Sequence, residues 1–315
     1  MSPLRASCVK VFLSTALVSG WVAGPALADT GKLLLTGGVS SVEGSAGGGI
    51  TPWAVLGTQA TDGEVGASAH LSRLSTSDYG LSAYGVTLNL KNTLELSLGR
   101  QDLSAQPATA LNALGFGVTN DPHLKMDVVG AKLHLLGNAV LDADHWLPEV
   151  SVGVQYKRTQ AGSIKPVLDF LGAKTAGTDV YVAATKVLLE YGLLLNATVR
   201  YTNANQGGLL GFGSAAPGRN SRSLNPELAV AYLLRRDLAI GAEYRFMPNN
   251  LEALGQAAGL GNGLKQDDWK DIFIAWAPSK NVSLTGAYVD LGRIVPGITG
   301  GRKQRGFYVS GQVAY

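Results

Sequence analysis

The sequence predicts an all-β fold, an antiparallel transmembrane β-barrel of about fourteen strands (about twelve as the alternative), with short apolar helical segments in its outer loops. Three observations predict it. Apolar residues alternate with small or polar ones in run after run, each about ten residues long, the length a tilted strand needs to cross a bilayer. Short and long connections between the runs follow each other in turn, as in a barrel with tight turns at one rim and long loops at the other. The final run, Phe307-Tyr308-Val309-Ser310-Gly311-Gln312-Val313-Ala314-Tyr315, alternates in the same way and closes on an aromatic residue.

The first residues are set apart from that count. Arg5 and Lys10 flank the start of a short apolar run through Val11-Phe12-Leu13 to Trp21-Val22-Ala23, and Ala26-Leu27-Ala28 stands before Asp29. A basic start, a short apolar stretch and a small-x-small site make a secretory signal peptide. Residues 1–28 are therefore expected to be cleaved after Ala28, leaving 29–315 as a single barrel domain. Cys8, the only cysteine, falls in that peptide, which excludes disulfides and thiolate metal sites from the mature chain. The whole chain has 26 basic and 23 acidic residues, and loss of Arg5 and Lys10 leaves 24 basic ones. So neutral a chain carries no electrostatic footprint for nucleic acid. It is 46% apolar and 16% charged, yet no apolar run after residue 28 reaches the about 18 residues of a spanning helix.

Strands are expected near 32–40, 50–58, 64–74, 80–90, 94–101, 125–136, 147–158, 179–190, 192–202, 223–235, 237–247, 268–277, 281–290 and 305–315. The first two are the weakest, because Gly37-Gly38-Val39 to Gly47-Gly48-Gly49 is glycine-rich and segment 36–49 could instead plug the lumen. Tyr84, Val86, Leu88 and Leu90 meet Leu94, Leu96 and Leu98 across Lys91-Asn92-Thr93. Leu228, Val230, Tyr232 and Leu234 meet Leu238, Ile240, Ala242 and Tyr244 across Arg235-Arg236-Asp237. Such runs give each hairpin one apolar face and one small or polar face. Connections at 102–123, 159–177, 203–222, 248–267 and 291–304 are long. Aromatic residues at strand ends (Tyr156, Tyr191, Tyr201, Phe246, Trp269, Trp276, Tyr288 and Phe307) fit girdles at the two membrane interfaces.

In its last strand the chain resembles bacterial outer-membrane barrels as a class. That resemblance implies an outer-membrane address, contact with outer-membrane lipid, and recognition of the strand ending at Tyr315 by the barrel-assembly machinery. The opening Gly31-Lys32-Leu33-Leu34-Leu35-Thr36-Gly37-Gly38-Val39, with Gly47-Gly48-Gly49-Ile50-Thr51-Pro52-Trp53-Ala54, resembles an uncharacterised proteobacterial family known only as a domain of unknown function. It implies no activity.

On the face assigned to the lumen, small residues dominate and charges of both signs occur: Glu95, Lys132, Glu149, Lys157, Lys186, Arg200, Glu227, Glu243 and Arg245. Arg200, Glu243, Arg245, Glu227 and Lys157 are the candidate lumen-lining residues. Buried charges need partners, so cross-bracing of the wall is the plainer expectation. The long loops carry apolar stretches that read as short helices stopped by glycine, with Leu114, Phe116, Phe170, Leu210 and Phe212 as candidates for an apolar gate. His70-Leu71-Ser72 is similar to the His-x-Ser pair of outer-membrane esterases and deacylases, in which period-two spacing lets the imidazole deprotonate the hydroxyl. Those enzymes continue Asn-Gly where this chain has Arg73-Leu74, and no enzymatic activity is expected. His123, His134 and His145 lack metal-ligand spacing, and no glycine loop that cradles phosphate precedes a helix, so neither metal nor cofactor is expected.

Three functional readings remain. The foremost is a passive or substrate-selective channel, with small apolar compounds as candidate substrates. The others are a plugged structural or surface-interaction barrel, and a lipid hydrolase acting through His70 and Ser72. Oligomeric state is not legible in the sequence.

Overall fold

The computed structural model describes Leu35 and residues 39–139, 146–217 and 220–315. The expected signal peptide, residues 32–34 and 36–38 of the first expected strand and plug, and His145 lie outside the described residues.

Alternating side chains drive strands that must hide one face, and among the described residues twelve of them close into a wholly antiparallel barrel. In order they are β1 (Val65–Thr76), β2 (Gly80–Leu90), β3 (Leu94–Ser104), β4 (His123–Leu136), β5 (Glu149–Gln160), β6 (Ala176–Leu188), β7 (Leu193–Thr202), β8 (Ser223–Arg235), β9 (Leu238–Arg245), β10 (Trp269–Ser279), β11 (Val282–Arg293) and β12 (Lys303–Ala314). Each pairs with its neighbours in sequence, and β1 pairs with β12. Twelve strands, not fourteen, is the count. Of the two expected strands without a counterpart, 32–40 lies mostly outside the described residues, and 50–58 fails for a physical reason. Every described residue from Val39 to Thr58 is buried, so this segment has no exposed face for alternation to mark. Within it, Pro52 also lacks the N–H a ladder needs. Only isolated bridges form, Ser40 with Ala46 and Gly47 with Pro52.

Along β1, Ser68, His70 and Ser72 are buried while Leu71 is 65% exposed. The same contrast runs round the ring, with Val86, Leu98, Val129, Ile272 and Val309 turned outward. A belt of exposed aliphatic side chains on a closed sheet is unstable in water and suited to lipid, where closure also leaves no backbone group unpaired at an edge. The barrel therefore spans a membrane, and its even, antiparallel design is that of the bacterial outer membrane. Among the described residues no helix is long and apolar enough to cross a membrane.

Tyr156, Tyr191, Tyr201, Phe246, Trp276, Tyr288 and Phe307 face outward, as the girdle requires. Trp269 does not: it is buried, with the Arg245 guanidinium 5.4 Å from its ring centroid. Lys186, expected in the lumen, also differs. It sits between the buried Thr185 and Val187, hence on the outer face, and its Nζ donates to the Leu147 carbonyl at 3.2 Å. A long aliphatic stem lets its charge reach the polar rim.

The five long connections gather at one end, each holding short helical or 3₁₀ turns such as Gln106–Leu114, Lys165–Phe170 and Glu252–Ala257. Residues 77–79, between β1 and β2, make the one tight turn at that end among the described connections. At the other end Tyr315 exchanges backbone hydrogen bonds with Ala67, both at 2.8 Å, and so completes the seam.

Candidate functional site

The inward faces of the strands meet residues 39–60, which fill the lumen. A buried backbone without secondary structure must find partners for its peptide groups, and the barrel wall supplies them. Thr87 donates to Gly44 O at 2.9 Å, Gln101 to Val42 O at 2.8 Å, Asn89 to Gly57 O at 2.7 Å, Thr198 to Pro52 O at 2.7 Å, and Ser151 to Ala54 O at 2.6 Å. These five polar residues of the strands thus serve the plug.

Ionic contacts fix it further. Glu43, carried by the plug, meets Lys157 Nζ at 2.7 Å, Arg245 Nη2 at 3.0 Å and Arg200 Nη2 at 3.1 Å. Asp179 lies 2.7 Å from Lys157 Nζ, and Glu227 2.5 Å from Arg200 Nε and 3.3 Å from Arg245 Nε. Three cations and three carboxylates balance, which a water-excluded cluster requires. Burial alone would push the Glu43 carboxyl up, but Arg200, Arg245 and Lys157 hold it well below the usual carboxylate range. A second anchor joins Glu95 to Lys132 at 3.2 Å. Glu95 also accepts from the N–H groups of Ala46 and Gly57, while Lys132 donates to Ala46 O and Val55 O.

Glu243 is the fifth candidate lumen residue and binds the plug differently, accepting from the Ile50 N–H at 2.9 Å and from the Thr51 hydroxyl. A Cβ on Gly48 would run into its carboxylate, which explains a glycine there. Directly opposite Glu243 on β10 stands Asp271. All five lumen candidates are therefore buried against the plug. Four of them form the Glu43 cluster, whose plug-borne member and Asp179 sequence reasoning did not single out. Asp179 was legible in principle, two residues before the inward Tyr181. Glu43 stands in a glycine- and serine-rich stretch with no period to mark its direction.

Above the plug, the long loops and the upper strand ends enclose a cavity of about 320 Å³ with almost wholly apolar walls. Leu114, Phe116, Phe170 and Leu210 line it, and the Phe116 and Phe170 rings meet edge to face at 5.7 Å. Leu114 and Phe170 stand at its exposed rim, 72% and 67% accessible. Phe212 is placed elsewhere. It is buried, paired by backbone to Lys174 and Ala204, and packed where Gly177 leaves room for its ring. The cavity floor includes Gln206, Trp269 and Asp271.

His70 and Ser72 both face inward, away from lipid. Ser72 Oγ bonds to Ser310 Oγ at 2.8 Å and Tyr308 Oη at 3.1 Å, while neither ring nitrogen of His70 has a hydrogen-bond partner. The imidazole is therefore not set to take the serine proton, and the dyad reading gains nothing from this geometry. Among the described residues no group of three or more His, Cys, Asp or Glu is placed to hold a metal ion.

No curated protein matches the chain. In fold it is similar to the NanC porin (TM-score 0.48, 10% identity, covering 78% of this chain and 98% of that one). It is similar also to an outer membrane channel from Pseudomonas putida F1 (0.43, 12%, 80% and 95%) and to outer membrane phospholipase A from Escherichia coli (0.40, 11%, 78% and 92%). The family comparison reaches further, because residues 36–312 match the model of a family described as protein of unknown function (DUF3034). That span takes in the plug, the loops and nearly every strand, and this outer-membrane β-barrel belongs to that family.

Proposed function

We propose that the barrel is a substrate-selective channel for small apolar compounds, which it captures from outside in the loop cavity. The observation that carries this reading is the cavity itself, apolar on nearly every side and seated directly on an ion-locked plug. At about 320 Å³ it falls at the small end of ligand sites, which span about 300–1,000 Å³. Apolar loops at a membrane surface are unfavourable unless something covers them, and a hydrocarbon entering the cavity gains about 25 cal/mol for each Å² removed from water. Residues 39–60 lie in the path through the lumen, so passage requires part of them to shift.

A second reading, a plugged barrel with a structural or surface role, is favoured by the Glu43 cluster, which costs the chain many inward side chains merely to stay shut. One experiment separates the two. Cells carrying the barrel and cells lacking it are compared for the initial rate of entry of 1-N-phenylnaphthylamine, an apolar fluorophore. Faster entry in the carriers supports the channel; equal rates overturn it in favour of the plugged barrel.

A further inference from the structure

The floor of the cavity is chemically unlike its walls. Across the described residues, buried side chains include seven carboxylates (Glu43, Glu95, Glu149, Asp179, Glu227, Glu243 and Asp271) against four cations (Lys132, Lys157, Arg200 and Arg245). The cations are taken up by Glu43, Asp179, Glu227 and Glu95. Glu243 and Asp271 form no ion pair with a cation among the described residues; they face each other across the β9–β10 ladder and are hydrogen-bonded to each other, one proton held between the two carboxyls. The space beside Gly49 lies 3.5 Å from Asp271 Oδ2 and 3.5 Å from Glu243 Oε2, so the two carboxyls converge on one point.

Two buried acceptors at this floor are unused. Asp271 is 6% exposed and its Oδ1 has no hydrogen-bond partner. Gln206 is 4% exposed, comes from the loop after β7, and its Oε1 also has none. Both line the cavity. A buried acceptor without a donor is costly, and a buried carboxylate without a cation more so. The backbone around Gln206 is itself in the left-handed region at φ 48°, which few side-chain-bearing residues adopt without local need.

We infer that the cavity takes small apolar amines, with the ammonium head at Asp271 and the hydrocarbon part against the loop walls. The inference rests on the reading of the cavity as a ligand site. An ammonium brings three donors and the positive charge the carboxyl pair lacks. A neutral alcohol supplies one donor and no charge, and a carboxylate is repelled. The Trp269 Nε1–H, two residues from Asp271 and likewise unpartnered, offers one donor to a hydroxyl or ether oxygen beside the amine.

The test uses the full-length barrel folded in detergent and three matched water-soluble probes, 2-phenylethylamine, 2-phenylethanol and 3-phenylpropanoate. Their affinities are read by displacement of 1-N-phenylnaphthylamine. The amine is expected to bind about tenfold or more tightly than the alcohol, the ratio that one charge-assisted hydrogen bond supplies, and the carboxylate to bind weakest. In Asp271→Asn the amine should lose that advantage while the alcohol keeps its affinity. Equal binding of all three to the unaltered barrel overturns the amine inference and leaves the cavity standing as an apolar site. Failure of the fluorophore and of every probe to bind overturns the ligand-site reading itself.

Discussion

Glu43 Oε1 lies 2.7 Å from Lys157 Nζ, and this contact joins a segment inside the barrel to a strand 114 positions further along the chain. Arg245 Nη2 reaches the same oxygen at 3.0 Å from β9, further round the ring. One carboxylate thus ties β5 and β9 to the plug, with Arg200 adding β7. Removing one member of a buried ion cluster leaves the others uncompensated, at a cost of about 3–5 kcal/mol.

Glu43→Gln should therefore loosen the plug while the barrel stays closed. The strands lose no ladder hydrogen bond, but three cations then face two carboxylates. In planar bilayers the unaltered protein is expected to be silent and the variant to show discrete conducting steps. Urea unfolding in detergent should show a loss of about 3–5 kcal/mol if the cluster works as a unit. Silence from the variant, with unchanged unfolding, would mean that the hydrogen bonds of Thr87, Gln101 and Thr198 hold the plug unaided.

The response to pH follows from the same carboxyl. Its folded pKa is held below the unfolded one, so its contribution to seating the plug is fully present above the ordinary carboxylate range of about 4.3. That contribution is lost only as pH falls through the depressed folded value. The Glu43 cluster's share of closure is thus expected to be indifferent to pH from about 8 down to about 5, and to fail only in strong acid. Bilayer conductance recorded across that interval checks it, and opening near pH 6 would place control in some other group.

How much of this was legible in the sequence depends on whether a residue alternates. All twelve strands were, because lipid outside and plug inside impose opposite demands on neighbouring side chains, as Leu71 and Ser72 illustrate. Ile50 to Leu56 misled the strand count because a segment enclosed on all sides buries Trp53, Ala54, Val55 and Leu56 alike. Arg200, Glu227 and Arg245 could be placed on the lumen face by period. Their common partner Glu43 could not, since its position depends on a glycine-rich path with no repeat. Asp271 was visible only as one acid among several near Trp269. Its meaning comes from the register that sets it opposite Glu243.

At the cavity rim, Phe116 and Phe170 come from the loops after β3 and β5 and meet edge to face at 5.7 Å. An aromatic pair of this kind contributes about 0.5–1.5 kcal/mol beyond its buried area. Phe116→Ala should weaken binding of 1-N-phenylnaphthylamine by about two- to tenfold without altering heat-resistant barrel mobility on gels. Leu224→Ala, on the outer face of β8 and away from the cavity, serves as the control. Equal effects of the two substitutions would show that the fluorophore reports on the detergent-facing surface rather than on the cavity.

The seam of the barrel gives the last prediction. Tyr315 both donates to and accepts from Ala67 at 2.8 Å, while its ring is turned to the outside. Deleting Tyr315 removes two backbone hydrogen bonds at the very end of the β1–β12 ladder, where fraying is cheap, so purified chain refolded in detergent should regain the barrel nearly as well as before. If the exposed terminal ring is what the barrel-assembly machinery reads, the same deletion should sharply lower the amount of folded barrel in the outer membrane of living cells. Loss in cells with normal refolding in detergent assigns the ring to recognition. Equal loss in both assigns it to the stability of the seam.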